Sequence, residues 1–259
     1  MKRWELCDWF EVRRIDGDTY AISENRHWEE THCYLLCGTE RAVLIDSGLG
    51  IADIRAITDS LTALPVLVLT THAHWDHIGG HGSFDDIAVH AAEAHWLSDC
   101  FPLPLEAVKR NLLSKPCDFP DKFAIDDYRI FRGTPQRILN DGDRVDLGNR
   151  VLTVVHTPGH SPGHCCFYEV ERGYLYSGDL VYRGCLDAFY PTTDPGAFAE
   201  SVRRIQSMRL RRILPGHHQM DVPVGIVDQI RSAFDRLEAE GKLRQGSGVF
   251  DFGDFQIHI

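Results

Sequence analysis

The stretch Thr71-His72-Ala73-His74-Trp75-Asp76-His77-Ile78-Gly79-Gly80 decides how the rest of the chain is read. Three imidazoles and a carboxylate crowd into the six positions from His72 to His77. The apolar run Val66-Leu67-Val68-Leu69 just before it has the length and character of a buried strand. The cluster therefore lies where a strand leaves the core. On extended backbone His72, His74 and Asp76 project to one side, and His77 breaks the alternation toward a second point. Gly79-Gly80 lets the chain turn tightly just afterwards. Nitrogen and oxygen donors of this kind suit zinc, iron or manganese better than calcium. A polar loop that happens to be rich in histidine is the bland alternative, and it leaves the density of ligand types unexplained.

One metal needs three or four ligands, so others must come from elsewhere. Three later stretches qualify, each an apolar run ending beside glycine. Val151–Val155 leads into Thr157-Pro158-Gly159-His160-Ser161-Pro162-Gly163-His164. Tyr174-Leu175-Tyr176 leads into Ser177-Gly178-Asp179, and Arg212-Ile213-Leu214 into Pro215-Gly216-His217-His218. Strand, glycine and ligand, repeated, is the layout of a site at one edge of a layered sheet.

With these residues in view, the sequence resembles the metallo-β-lactamase superfamily. The motif His-x-His-x-Asp-His is met in full by His72, His74, Asp76 and His77, and the later elements in order by His160, Asp179 and His217. The resemblance implies an α/β fold, an αββα sandwich of two mixed sheets with helices on the outer faces. It also implies two divalent metal ions, zinc first, with iron or manganese as alternatives. His72, His74 and His160 would hold one ion, Asp76, His77 and His217 the other, and Asp179 would bridge. His160 is preferred to His164, and His217 to His218, because each directly follows Pro-Gly.

The chain has 259 residues, 43% of them hydrophobic, which suits one domain spanning 1–259. Its net charge of −11 disfavours a nucleic-acid partner, which needs a basic face. No stretch approaches the ~18 apolar residues of a membrane span. Met1-Lys2-Arg3-Trp4-Glu5 lacks the apolar core of a signal peptide. Eight scattered cysteines without a Cys-x-x-Cys pair read as reduced, structural thiols in a cytoplasm.

Around the motif, hairpins are expected at Phe10–Ile15 with Thr19–Ile22 and at Cys33–Cys37 with Ala42–Ile45. Between them lies the polar segment Ser23 to Glu30, whose His27 and Trp28 are candidate substrate contacts or plain surface residues. Asp46 is either a partner for a ligand imidazole or a turn and capping residue. Ile51, Ile54, Ile57 and Leu61 follow at helical spacing. His81, His90 and His95 read as ordinary histidines. Residues 98–136 are the least regular part, rich in proline and aromatics; with Trp75, the rings of Phe101, Phe119 and Phe123 are candidates to wall an apolar pocket beneath a lid-like segment. Strands resume at Gln136–Leu139, and Val151–Val155 leads to His160. Cys165–Val170 pairs with Tyr174–Tyr176. Two helices follow, one capped by Asp194 with Pro195 at its first position, the other starting near Asp221 and Pro223 and stopping at Gly241. The alternating tail 249–259 reads as an edge hairpin that finishes the sheet or meets another subunit.

The ligand set implied by the resemblance points to hydrolysis of a small acyl substrate. Paired metals acidify water and polarise a carbonyl. Asp76 would hold metal and orient the attacking water. Tyr182, three residues beyond Asp179, is either an oxyanion or leaving-group donor or a packed aromatic. The motif set looks most like the glyoxalase II and acyl-thioesterase side of the superfamily. Residues 218–259 leave little room for a glutathione-binding helical domain, so an acyl-coenzyme A thioester is favoured. A lactonase is the alternative, supported by Tyr182. A β-lactamase fits less well, because those enzymes lack the bridging aspartate. Mononuclear iron persulfide dioxygenases share the implied fold and represent a redox class.

Overall fold

The computed structural model describes residues 8–98 and 100–259. The opening Met1-Lys2-Arg3-Trp4-Glu5, read above for a signal peptide, lies outside the described residues, as does Asp99 of the 98–136 segment. The chain divides into two compact units, one of residues up to Leu139 with Asp146–Arg150, the other of Asn140–Val145 with Val151–Ile259.

The first unit is built on a seven-stranded sheet in sequence order: β1 (Glu11–Arg14), β2 (Thr19–Ser23), β3 (His32–Cys37), β4 (Ala42–Ile45), β5 (Val66–Leu69), β6 (Ile87–His90) and β7 (Arg137–Leu139). The first four form an antiparallel meander and the last four run parallel. Parallel neighbours need crossovers. The first is α1 (Ile54–Leu61), whose cap Asp53 accepts from Arg55 N and Ala56 N. That cap makes the helix start at Ile54, so Ile51 belongs to the loop before it. The second crossover is the histidine motif itself. Here the expectation of extended backbone is corrected: Trp75–Ile78 is a single helical turn, α2. Asp76 and His77 stand on that turn, and only the stretch before it is extended.

Ala91–Glu93 is a 3₁₀ turn that leads into α3 (Ala94–Ser98). The 98–136 segment is more regular than its proline content implies. It contains α4 (Leu105–Leu112), with Val108 and Leu112 fully buried. They pack with Trp9, Leu49, Ile51, Trp75 and Tyr128, and Phe101, Phe119 and Phe123 lie partly buried against the same group. The segment's aromatics therefore build a second apolar core in this unit. A helix of eight residues bracketed by Pro102, Pro104 and Pro116 is too short for its periodicity to stand out.

The second unit carries a five-stranded sheet formed by β8 (Arg144–Asp146), β9 (Val151–His156), β10 (Cys165–Glu169), β11 (Tyr174–Gly178) and β13 (Arg212–Pro215), in the order β13-β11-β10-β9-β8. Beside it is a three-stranded sheet, β12 (Cys185–Asp187), β15 (Gln256–His258) and β14 (Val249–Asp251). The tail is thus a hairpin as expected, but it pairs with β12 and not with the main sheet. Both β8 and β12 are three residues long and carry no periodic signal. Asp194 caps α5 (Pro195–Gln206) through Ala197 N. Helix α6 (Ile226–Ala239) starts later than Asp221, after a turn at Pro223. Phe198 of α5 stacks on Phe234 of α6 with ring centroids 5.1 Å apart.

Near the motif, Gly79 N donates to Gly48 O at 2.8 Å, and a Cβ on Gly79 would collide with the Leu49 and Gly50 backbone. Gly79→Ala should therefore lower stability by about 1–3 kcal/mol through overpacking, read as a lower denaturant midpoint at unchanged slope.

Candidate metal centre

The first set of ligand candidates hangs from one carboxylate. Asp46 follows β4 with φ 57°, a left-handed conformation that aspartate tolerates. It is almost fully buried. Its Oδ1 accepts Thr71 N at 2.7 Å, and its Oδ2 accepts Thr71 Oγ1 at 2.7 Å and His77 Nδ1 at 2.9 Å. Since the Thr71 hydroxyl proton goes to Asp46, its oxygen receives the Nδ1 hydrogen of His72 at 3.0 Å. The network so assigns the Nδ1–H tautomer to both histidines, which directs each Nε2 lone pair outward as a ligand. Asp46 thus bonds the imidazole of His77 from its left-handed turn position. The ring of His72 lies 4.2 Å from that of His77 and 4.5 Å from that of His74. His77 Nε2 faces Asp76 Oδ2 at 3.4 Å. Two lone-pair atoms facing each other in a buried place form a setting that a cation would satisfy, so these residues fit a metal ion.

Three further groups brace this set. Glu93, fully buried, accepts Ala73 N at 2.6 Å and so pins the backbone between His72 and His74. His74 lies parallel to Trp96 at 6.3 Å. Glu24 accepts Trp9 Nε1 at 2.6 Å and Leu49 N at 2.8 Å, and burial raises its carboxyl to about 7. Sequence reading missed Glu24, which sits in a stretch that looks like polar surface, and Glu93, a single carboxylate in the short helical run Ala91–Leu97. His81 is a hydrogen-bonded histidine, as expected: its ring nitrogens meet Ser47 Oγ at 2.6 Å and Thr70 Oγ1 at 2.8 Å. Burial lowers its pKa from 6.5 to about 3.

The second set centres on Asp179, just past β11. Its Oδ2 lies 3.4 Å from His160 Nε2 and 3.3 Å from His217 Nε2. His160 Nδ1 donates to the Asp187 carbonyl at 3.0 Å, which again turns Nε2 toward the carboxylate. Gly216 makes room, since a Cβ there would sit 2.9 Å from Asp179 Oδ1. His164 is placed behind the set. Its Nε2 accepts Asp179 N at 3.1 Å and its Nδ1 meets the Thr157 hydroxyl at 2.9 Å, so it holds the backbone that aims Asp179. His218 takes a left-handed φ of 62° and packs on Tyr182. The Tyr182 hydroxyl donates to the Cys185 carbonyl, and its ring rests 5.7 Å from that of His217.

The substrate-contact candidates are largely engaged in packing. His27, expected in an exposed loop, is 1% exposed; it bonds the Leu112 carbonyl at 3.0 Å and accepts Glu29 N at 3.2 Å. Helix α4 covers it. Trp28 donates to Asn111 O at 3.1 Å and receives Lys115 over its ring. Trp75 is buried, edge-on to His27. Phe119 and Phe123 stack at 4.8 Å. Phe119 also lines a cleft of about 870 Å³ with Trp9, Ile51 and Gly79, but Arg26, Asp53, Asp118 and Lys122 share that lining, so this cleft is not purely apolar. Tyr128, which the sequence offered only as one aromatic among many, is buried, and its hydroxyl has no hydrogen-bond partner; burial near Asp76 and Glu24 holds its proton firmly.

Residues 27–217 match the family described as the metallo-beta-lactamase superfamily. The chain belongs to that superfamily. Among curated relatives it is 32% identical over 241 residues to the acyl-coenzyme A thioesterase MBLAC2 of Gallus gallus, covering 82% of each chain. It is 27% identical to a hydroxyacylglutathione hydrolase of Bdellovibrio bacteriovorus, over 74% of this chain and 64% of that one. Among solved structures, TTHA1623 in a di-iron-bound form aligns with a TM-score of 0.53 and 29% identity, over 74% of this chain and 89% of that one. The α/β class with mixed sheets and helices is thus that of the metallo-β-lactamase fold. Kinship of this extent makes the chain a metal-dependent hydrolase.

Asp46→Asn, which keeps the left-handed backbone accessible, should lower metal affinity by roughly ten- to a hundredfold with the fold intact, measured by competition with a chelating dye beside a thermal melt. For His81, the native ring stays neutral while the unfolded ring binds a proton below pH 6.5. Stability should therefore fall by about 1.4 kcal/mol per pH unit on acidification from there toward the native value. In His81→Asn that component of the slope should vanish, as followed by urea melts across pH.

Proposed function

We propose that the chain hydrolyses acyl thioesters of the acyl-coenzyme A class at a dinuclear metal centre. Asp179 carries the dinuclear reading: a single carboxylate oxygen lies within 3.4 Å of the ring nitrogens of His160 and His217. Each unit supplies its own cluster of ligand candidates, His72, His74, Asp76 and His77 in one and His160, Asp179 and His217 in the other. In this reading His72, His74 and His160 hold one ion, Asp76, His77 and His217 the other, and Asp179 bridges. The di-iron form of TTHA1623 supports two ions, and the imidazole-carboxylate donor set suits zinc best, with iron or manganese also accommodated. Divalent ions held there supply Lewis acidity and a water acidic enough to attack a carbonyl near neutral pH.

The protein's own groups do the rest. Asp76 orients the attacking water and accepts its proton on the carboxylate. Asp46 keeps His72 and His77 in the ligating tautomer, and the Asp187 carbonyl does the same for His160. A thioester is favoured over a lactone by Tyr182, whose phenol is already donated to the Cys185 carbonyl. A thiolate leaves without much protonation, whereas the alkoxide of a lactone needs a donor. The names of both curated relatives point to the same bond class. Cys33, Cys37, Cys117, Cys166 and Cys185 are thiols outside any disulfide, which supports a reducing compartment such as the cytoplasm. Among the described residues no helix is long and apolar enough to cross a membrane.

Metal-loaded protein should release free thiol from acyl-coenzyme A faster than it opens lactones or β-lactams. Chelation should abolish the activity, and Asp179→Asn should cut kcat by roughly a hundredfold or more and reduce bound metal below two equivalents. One equivalent in the native protein, with full metal retained in Asp179→Asn, would remove the bridged centre. Oxygen uptake in step with persulfide loss would replace hydrolysis with redox chemistry.

A further inference from the structure

Outside the seven ligand candidates, β12 and β15 bring together another set of ligand-type side chains. The strands run parallel, with Leu186 opposite Ile257 and Asp187 opposite His258. Side chains alternate across a sheet. Leu186 and Ile257 are fully buried in the apolar core of the second unit. Cys185, Asp187 and His258 must then share the other face, where all three are partly exposed. One ligand atom from each lies within 4.8 Å of the others. His258 Nδ1 stands 3.5 Å from Asp187 Oδ1, too far for a strong hydrogen bond. Phe189 stacks nearly face to face on the His258 ring at 3.6 Å, so the imidazole is held in one orientation.

We propose that Cys185, Asp187 and His258 form a separate binding site for a thiophilic divalent cation, with zinc the best match. Sulfur, nitrogen and oxygen from three protein ligands are a zinc-type set that leaves a fourth position for water. The same residue types could suggest a nucleophilic thiol assisted by histidine. That reading fails because burial and the neighbouring Asp187 push the Cys185 thiol up to about 12, so it is protonated at neutral pH. A bound cation displaces that proton to solvent and takes the thiolate as its ligand. The site would fasten the C-terminal hairpin to β12. That strand also supplies the Asp187 carbonyl that orients His160 and the Cys185 carbonyl that takes the Tyr182 hydroxyl.

Cobalt(II) titrated into the metal-free full-length protein tests this directly. The seven His/Asp residues contain no sulfur, so a near-ultraviolet thiolate-to-cobalt charge-transfer band separates a thiolate site from them, and its dependence on Cys185 assigns it to this site. The expected result is such a band, lost in Cys185→Ser and requiring at least tenfold more cobalt in His258→Gln, while the visible bands of the His/Asp ligands persist in both. Persistence of those visible bands also shows that each variant is folded. Cobalt saturation without any charge-transfer band, or a band unchanged in Cys185→Ser, would overturn the proposal. Turnover is not part of the readout, so the outcome is independent of the substrate.

Discussion

The Asp46 carboxylate organises the first half of the ligand set. Burying a carboxylate costs several kcal/mol unless its oxygens are satisfied. Asp46 meets that cost with a backbone N–H, a hydroxyl and an imidazole. Each partner belongs to the loop that carries the metal motif, so the interaction that stabilises the end of β4 also sets the tautomer and direction of His72 and His77. The left-handed backbone at Asp46 is a local strain that these three bonds sustain. Structure and chemistry share the same atoms here.

Asp179 is prepared in a similar way, from the backbone outward. His164 receives its N–H, and the bare Cα of Gly216 leaves space beside its side chain. The imidazole of His160 is aimed by a main-chain carbonyl, a partner that cannot reorient without moving β12. Such bracing matters because a metal ligand displaced by an ångström loses most of its value. The sheets supply the rigidity: β4, β5 and β11 are almost entirely buried, and their residues cannot shift without opening voids in a close-packed interior.

The aromatic 98–136 segment takes a different part from the one its composition suggests. Its rings do not form a loose cover. Phe119 and Phe123 stack on each other, and α4 buries Val108 and Leu112 against Trp9, Ile51 and Trp75. Trp75 lies inside the His-x-His-x-Asp-His motif, so this second core presses directly on the helical turn that carries Asp76 and His77. The carbonyls at the end of α4 are what His27 and Trp28 bond to. Residues that look like a polar rim are therefore part of the support.

The sequence alone offered the candidate ligand types, their order and the strands that lead to them. Those signals are local: a run of four apolar residues ends at β5, and Pro-Gly precedes His160 and His217. Capping of α5 by Asp194 and the two hairpins of the first sheet were legible for the same reason. Tertiary structure decided what depends on contacts between distant segments. It put Asp76 and His77 on a helical turn whose following Gly79 packs closely on the Leu49–Gly50 backbone. It made buried acceptors of Glu24 and Glu93, since only the folded chain brings Trp9, Leu49 and Ala73 to them. It also set Asp187 beside His258, residues joined only by strand pairing. Burial and hydrogen-bond partnership are properties of the assembled chain, and no spacing within the sequence encodes them.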